Sequence, residues 1–163
     1  MGSGKSTIGN LLSKKLHREF IDSDHYIEHK TGVDIPRIFD VEGEAGFRQR
    51  ETDALTELSE LNDIVLATGG GSVIRKENQK LLTATGFIVF LDTSIQQQMS
   101  RLKKDKKRPL LQTPNPRAKL EELLAQRKPI YQQLADFTIK TDHNYAKHIL
   151  NEIIKNLPHY IHH

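Results

Sequence analysis

Cysteine is missing from this 163-residue chain, which excludes disulfides and thiolate metal sites. Long apolar runs are missing as well. None approaches the ~20 residues needed to cross a bilayer as a helix, and no signal-peptide pattern precedes the first motif. No membrane partner is expected, and a cytoplasmic location is the default. Aromatic residues are sparse, at 6%, and no basic stripe carries them in the interleaved pattern that stacks nucleobases. A strong charge of either sign is lacking too. The net charge of +3 suits an anionic small molecule at least as well as nucleic acid, so no nucleic-acid partner is expected. The sequence has no internal repeat and no linker, and its one low-complexity patch is Lys103-Lys104-Asp105-Lys106-Lys107-Arg108.

What is present is a dispersed mixture of 36% hydrophobic and 28% charged residues. That is the composition of a soluble globular protein, here one domain over residues 1–163 with a substantial core. The chain opens on Gly2-Ser3-Gly4-Lys5-Ser6-Thr7, a glycine-rich turn running into a helix marked by Ile8, Leu11, Leu12 and Leu16. Small residues let backbone amides face phosphate oxygens, Lys5 adds a mobile positive charge, and the Ser6 hydroxyl can ligate magnesium. The full motif, G-x-x-x-x-G-K-[ST], has a further glycine that would fall before Met1, with a hydrophobic strand feeding it. The natural protein is expected to start earlier.

Phe20 and Ile21 read as a short strand ending in Asp22-Ser23-Asp24. Extended side chains two apart share a face, which places Asp22 and Asp24 together at the strand's carboxyl end, where parallel sheets bind ligands. An acidic turn capping the next helix is the equal alternative. Gly32 can stop that helix, in which His25 and His29 read as exposed residues rather than a metal pair. Asp34-Ile35-Pro36 starts another, Gly43 and Gly46 interrupt it, and a longer helix follows through Leu55 and Leu58. Arg48 and Glu51, one turn apart on it, can pair or form a solvated face. Ile64-Val65-Leu66-Ala67-Thr68 reads as a strand buried on both sides. It runs into Gly69-Gly70-Gly71, where amides can approach a ligand.

Helices around 76–83 and 95–103, a strand at 87–91, a helix over 117–135 containing Pro129, a strand at 137–139 and a closing helix complete the pattern. The proline-flanked basic patch reads as a mobile lid around 103–116. Alternating helices and short strands predict an α/β three-layer sandwich with a parallel sheet.

These pieces fall in a recognisable order. Gly2–Thr7, Phe20–Asp24, Gly46-Phe47-Arg48, the triple glycine, Arg108-Pro109-Leu110-Leu111 and Arg127-Lys128-Pro129-Ile130-Tyr131 together resemble the shikimate kinase family over nearly the whole chain. The resemblance implies a nucleoside-monophosphate-kinase-like P-loop fold, an α/β/α sandwich whose central parallel sheet lacks its first strand in this chain. It also implies transfer of the ATP γ-phosphoryl group to the 3-hydroxyl of shikimate, a step of the chorismate pathway to aromatic amino acids, with a monomer as the working form.

Residue by residue, Lys5 and the amides of Gly2, Ser3, Gly4, Ser6 and Thr7 resemble the phosphate cradle. Ser6 is similar to the Mg2+ ligand and Asp22 to the aspartate that assists Mg2+ through water. Asp24 resembles the base that binds the shikimate hydroxyls. Arg48 and Arg127 resemble the pair on the substrate carboxylate, Gly70 and Gly71 its backbone contacts, and Glu51 the group orienting them. Arg108 is similar to the lid arginine on the phosphates and Arg101 to the one against adenine. The loop Thr141-Asp142-His143-Asn144 has no assigned nucleotide contact. Two other readings remain open: a gluconate-type small-molecule kinase, and a nucleotide-binding module inactive through its shortened loop.

Overall fold

The computed structural model describes residues 3–104 and 113–162. Gly2, Arg108 and most of the expected lid lie outside the described residues. The chain divides into two compact units, one of residues 9–86 and one of residues 1–8 with 87–163.

The chain begins with α1 (Lys5–Leu16), whose early residues belong to one unit and later ones to the other. In the unit of residues 9–86, β1 (Glu19–Asp22) and β2 (Ile64–Ala67) pair in parallel, Phe20 opposite Val65 and Asp22 opposite Ala67. Helices α2 (Ser23–Thr31) and α3 (Ile35–Ser59) pack on each other, and α4 (Lys76–Thr85) packs on α3. Ile27, Ile38, Phe47 and Ala54 form a buried cluster against Tyr26, Ile35 and Phe39.

Local chemistry sets the helix ends. Gly32 closes α2 in the left-handed region at φ 74°. The Asp34 side chain accepts from Arg37 N at 2.9 Å, with Pro36 in the first turn. The expected break at Gly43 and Gly46 is confined to Gly43, at φ 72° and ψ −178°, a kink inside α3. Gly46 stays helical, because an i→i−4 ladder accepts glycine at a modest entropic cost. Glu42 and Arg50 clasp the kink from outside, Arg50 Nε to Glu42 Oε2 at 2.7 Å and Arg50 Nη2 to Glu42 Oε1 at 2.6 Å.

In the other unit, β3 (Val89–Asp92) pairs in parallel with β4 (Phe137–Lys140). The unit also holds α5 (Ile95–Leu102), α6 (Pro116–Leu134), α7 (Ala146–Asn156) and a short 3-10 turn over His159–Ile161. Leu102 and Leu120 bury between α5 and α6, and α7 lies on β4 through elements that include buried Ile149 and Ile153. Helix α6 runs on through Pro129.

The architecture is α/β with parallel strands. The four described strands form two parallel pairs, one in each unit. With one bonded neighbour each, they are less covered than the apolar runs suggest: Ile64, Val65 and Leu66 are half-buried, as is all of β3.

Candidate functional site

The turn from β1 into α2 sets the first part of the site, and it departs from strand periodicity. Asp22 ends β1 and caps α2, its Oδ1 accepting from Asp24 N at 2.9 Å and His25 N at 3.3 Å. Asp24 therefore sits in the first helical turn and not beside Asp22 on a strand face, because an Asx cap offered the backbone a helical start one residue earlier. His25 and His29 are exposed on the same helix.

Around Asp24 the loop after β2 closes tightly. Gly69 N donates to Ser23 Oγ at 3.2 Å, and Ser23 is fully buried. A Cβ on Gly69 would stand 3.0 Å from Asp24 Oδ1 and 3.3 Å from Glu51 Oε2. A Cβ on Gly71 would stand 2.5 Å from both terminal nitrogens of Arg48. The glycines thus make room for charged side chains, as much as exposing amides. Gly70 lies between these two positions in the loop.

Arg48 and Glu51 pair at 2.9 Å, Nη1 to Oε1. The solvated-face alternative fails, since Glu51 is 1% exposed and the Arg48 side chain 13%. Burial pushes the Glu51 carboxyl above its ordinary range, and Asp24 adds to that, against the opposing pull of Arg48 and of a hydrogen bond from Ser72. Arg48 Nη2 is 3.7 Å from Glu44 Oε1, and Arg48 Nε is buried with no hydrogen-bond partner among the described residues. The guanidinium plane also lies 5.3 Å from the Phe47 ring centroid. Both terminal nitrogens thus face a carboxylate, and Nε alone meets no acceptor among the described residues.

The second unit holds the glycine–lysine turn. Gly4, at φ 83°, precedes α1, and Ile8 N donates to Gly4 O at 3.0 Å, so the amides of Lys5, Ser6 and Thr7 fall ahead of the first intrahelical bond. Ser6 and Thr7 are exposed there. The Arg101 guanidinium lies against Gly4, where a Cβ would be 3.2 Å from its Nη1. Thr93 Oγ1 reaches within 3.5 Å of Ser3 O and shares a buried 2.6 Å hydrogen bond with Thr141 Oγ1. Asp142 Oδ1 accepts from Ser94 N at 3.1 Å, so the loop left unassigned above is tied to the start of α5. On α6, half-buried Arg127 has a buried Nε with no hydrogen-bond partner among the described residues, and neighbouring Lys128 pairs with Asp92 at 3.4 Å.

Asp22, Asp24, Arg48, Gly70 and Gly71 thus gather in one unit with Glu51. Ser3 to Thr7, Arg101 and Arg127 belong to the other. Sequence reasoning missed Ser72, Asn78 and Thr93, and gave Ser23 and Thr141 no role of their own. For Ser72 a signal existed in its place directly after the triple glycine. Asn78, 0% exposed within the polar stretch Lys76–Lys80, offered none.

A glycine–lysine turn entering a helix, in an α/β fold with parallel strands, defines a phosphate-binding-loop protein of the small-molecule kinase type. The family model for shikimate kinase matches residues 1–158. A shikimate kinase of Vibrio cholerae serotype O1 is 55% identical over 161 residues, covering 99% of this chain and 92% of the relative. The structure of shikimate kinase from Acinetobacter baumannii in complex with shikimate is similar at a TM-score of 0.92 with 47% identity, over 95% of this chain and 87% of that one. Shikimate kinase from Aquifex aeolicus is similar at 0.82 with 36% identity, over 96% and 90%. The chain belongs to the shikimate kinase family.

Proposed function

We propose that this chain transfers the γ-phosphoryl group of ATP to the 3-hydroxyl of shikimate, giving shikimate 3-phosphate and ADP. The observation that carries the reading is the buried Nε of Arg48, which has no hydrogen-bond partner among the described residues and sits in the unit that also holds Asp24. Leaving such a donor unmet costs about 1–3 kcal/mol, and a substrate carboxylate would relieve that cost at Arg48. Planar guanidinium forks suit this anion better than a neutral polyol.

Asp24 receives the proton of the attacking hydroxyl while the new O–P bond forms and the bond to the ADP oxygen breaks. The transition state of phosphoryl transfer is loose, so positioning and neutralisation matter more than the base. Lys5 and the amides of Gly2 to Thr7 cradle the phosphates, Arg108 covers them, Arg101 lies to the adenine side, and Gly70 and Gly71 meet the acceptor through their backbone. Ser6 and Asp22 present only oxygen, the donor type Mg2+ takes. Asp22, whose Oδ1 caps α2, would assist the cation through water, and Ser6 would ligate it. Bound Mg2+ would supply charge neutralisation on the phosphates. The working form on this reading is a cytoplasmic monomer, a state that solution mass measurement checks.

The test is ADP release coupled to an optical readout, with shikimate as the only acceptor. Arg127→Ala should raise the shikimate KM, a loss of about 2–4 kcal/mol, whereas Lys5→Ala should lower kcat. Turnover with gluconate but not shikimate, or equal loss of ATP and shikimate affinity in Arg127→Ala, would overturn the assignment.

A further inference from the structure

We infer that Ser72 is a positioning residue for the acid-binding arginine, holding Glu51 in the one orientation that aims Arg48, with Asn78 fixing Ser72 from behind. This rests on the reading that Arg48 grips the carboxylate of the acceptor.

The relay is continuous and dry. Asn78 Nδ2 donates to Ser72 O at 2.9 Å, Ser72 Oγ donates to Glu51 Oε2 at 3.0 Å, and Arg48 Nη1 donates to Glu51 Oε1 at 2.9 Å. Ser72 and Asn78 are 0% exposed and Glu51 is 1% exposed. Both carboxylate oxygens of Glu51 therefore have a donor, one from its own helix and one from the loop after β2. The distinction matters because the terminal torsion of a glutamate is broad. A single donor leaves the carboxylate plane able to swing, and two donors from separate elements fix it. Arg48, with its many rotatable bonds, inherits that fixity through Glu51. Deprived of it, the guanidinium can turn toward Glu44, whose carboxylate stands 3.7 Å from Nη2.

Ser72 is itself held. Ser72 N donates to Gly69 O, Gln79 Nε2 donates to Val73 O at 2.7 Å, and Arg75 Nη1 reaches Gln49 Oε1 and Thr52 Oγ1 on α3. Tied to α3 and α4 by these side chains, the loop holds its hydroxyl in place. The charged and titratable groups facing Glu51 are Arg48 from α3 and Asp24 from α2. Of the forces on its carboxyl, burial and Asp24 favour the protonated form, while Arg48 and Ser72 favour the ionised one.

The experiment compares wild type, Ser72→Ala and Ser72→Thr with shikimate and with its neutral carboxamide analogue. Ser72→Ala should raise the shikimate KM about tenfold, as expected for losing a hydrogen bond to a charged group, with kcat and the ATP KM within about twofold. The rise should not shrink as pH falls, since Glu51 has lost a donor that keeps it ionised. Ser72→Thr, which retains the hydroxyl, should restore the wild-type value, and the carboxamide KM should not respond to Ser72→Ala. Should Ser72→Ala fail to fold, Ser72→Cys, close in size with a weak donor, carries the same comparison. A wild-type shikimate KM in the variant, or an equal rise for acid and amide, overturns the proposal. An Arg48→Ala control separates the two claims. If it leaves the shikimate KM unchanged, the reading of Arg48 falls. If it raises KM while Ser72→Ala does not, the role of Ser72 alone falls.

Discussion

Gly71→Ala adds one methyl group at the point where two effects of different size can be told apart. The new Cβ would lie 2.5 Å from Nη1 and Nη2 of Arg48 and 2.7 Å from its Cζ. Non-bonded heavy atoms settle near 3.5 Å, so the guanidinium must retreat by about 1 Å. Gly71 is not among the positive-φ glycines, so alanine meets no backbone strain. The atoms that must move are the end of a flexible side chain, but the buried Arg48–Glu51 bond yields with them, so the fold should lose about 1.5–3 kcal/mol, a Tm decrease of about 3–12 °C. Function responds differently. A retreat of that size stretches the 2.9 Å bond between Arg48 and Glu51 beyond hydrogen-bond length and turns the fork away from the acceptor. A 1 Å misplacement can cost about a hundredfold, so the shikimate KM should rise about 10- to 100-fold, with the ATP KM little changed. Steady-state ADP release at varied shikimate, beside a thermal melt, reads both quantities. A wild-type KM would refute the reasoning, and so would a large Tm loss with KM unchanged, because each would mean that Gly71 does not set the place of Arg48.

Gly69→Ala should lower kcat about tenfold by crowding the Asp24 carboxylate, 3.0 Å from the added Cβ; kcat at saturating shikimate checks it. Asp22→Ala should cost about 1 kcal/mol by removing the α2 cap. Asp22→Asn keeps the cap and should restore the melt while still raising the Mg2+ concentration needed for half-maximal rate; equal Mg2+ dependence in Asp22→Asn and wild type would exclude a metal role. Glu51→Gln should change the stability profile with pH. The folded Glu51 takes up its proton at higher pH than the unfolded chain does, so its stability contribution is best below the unfolded carboxylate range and declines as pH rises through the raised folded value. Melts of both proteins across pH 4 to 8 should accordingly show wild type losing ground to Glu51→Gln as pH rises, even as the variant's shikimate KM worsens. Thr93→Val should lower stability by about 1–3 kcal/mol, because Thr141 Oγ1 is left buried without its 2.6 Å partner; chemical denaturation measures it.

Helix ends were readable from the chain because their causes are local. Asp34, Pro36 and Gly32 act within a turn of where they stand, and the structure follows them. For Asp22 and Asp24 the sequence left a shared strand face and a helix cap as equal readings, and the structure takes the cap, with Asp22 ending β1 and Asp24 in the first turn of α2. Gly46 looked like Gly43, yet the surroundings of α3 bend it at Gly43 alone. Arg48 and Glu51 could be paired by spacing, but spacing is silent on burial, and burial is what moves the Glu51 carboxyl. Ser72 could not be joined to Glu51, 21 residues away in the chain, because hydrogen bonds across elements leave no periodic trace. Apolar runs likewise mark strands without saying which of them meet.

The loop that follows β2 has a broader lesson in it. Its conformation is owed to Ser23, Glu51, Asn78, Gln79 and Arg75's partners on α3, most of them outside the loop itself. Three glycines in a row are therefore a mould with its walls elsewhere. Transplanted alone into a foreign scaffold, the segment would carry flexibility and none of its shape, and a pattern search for the glycines by themselves will find many sequences that have the space without the walls.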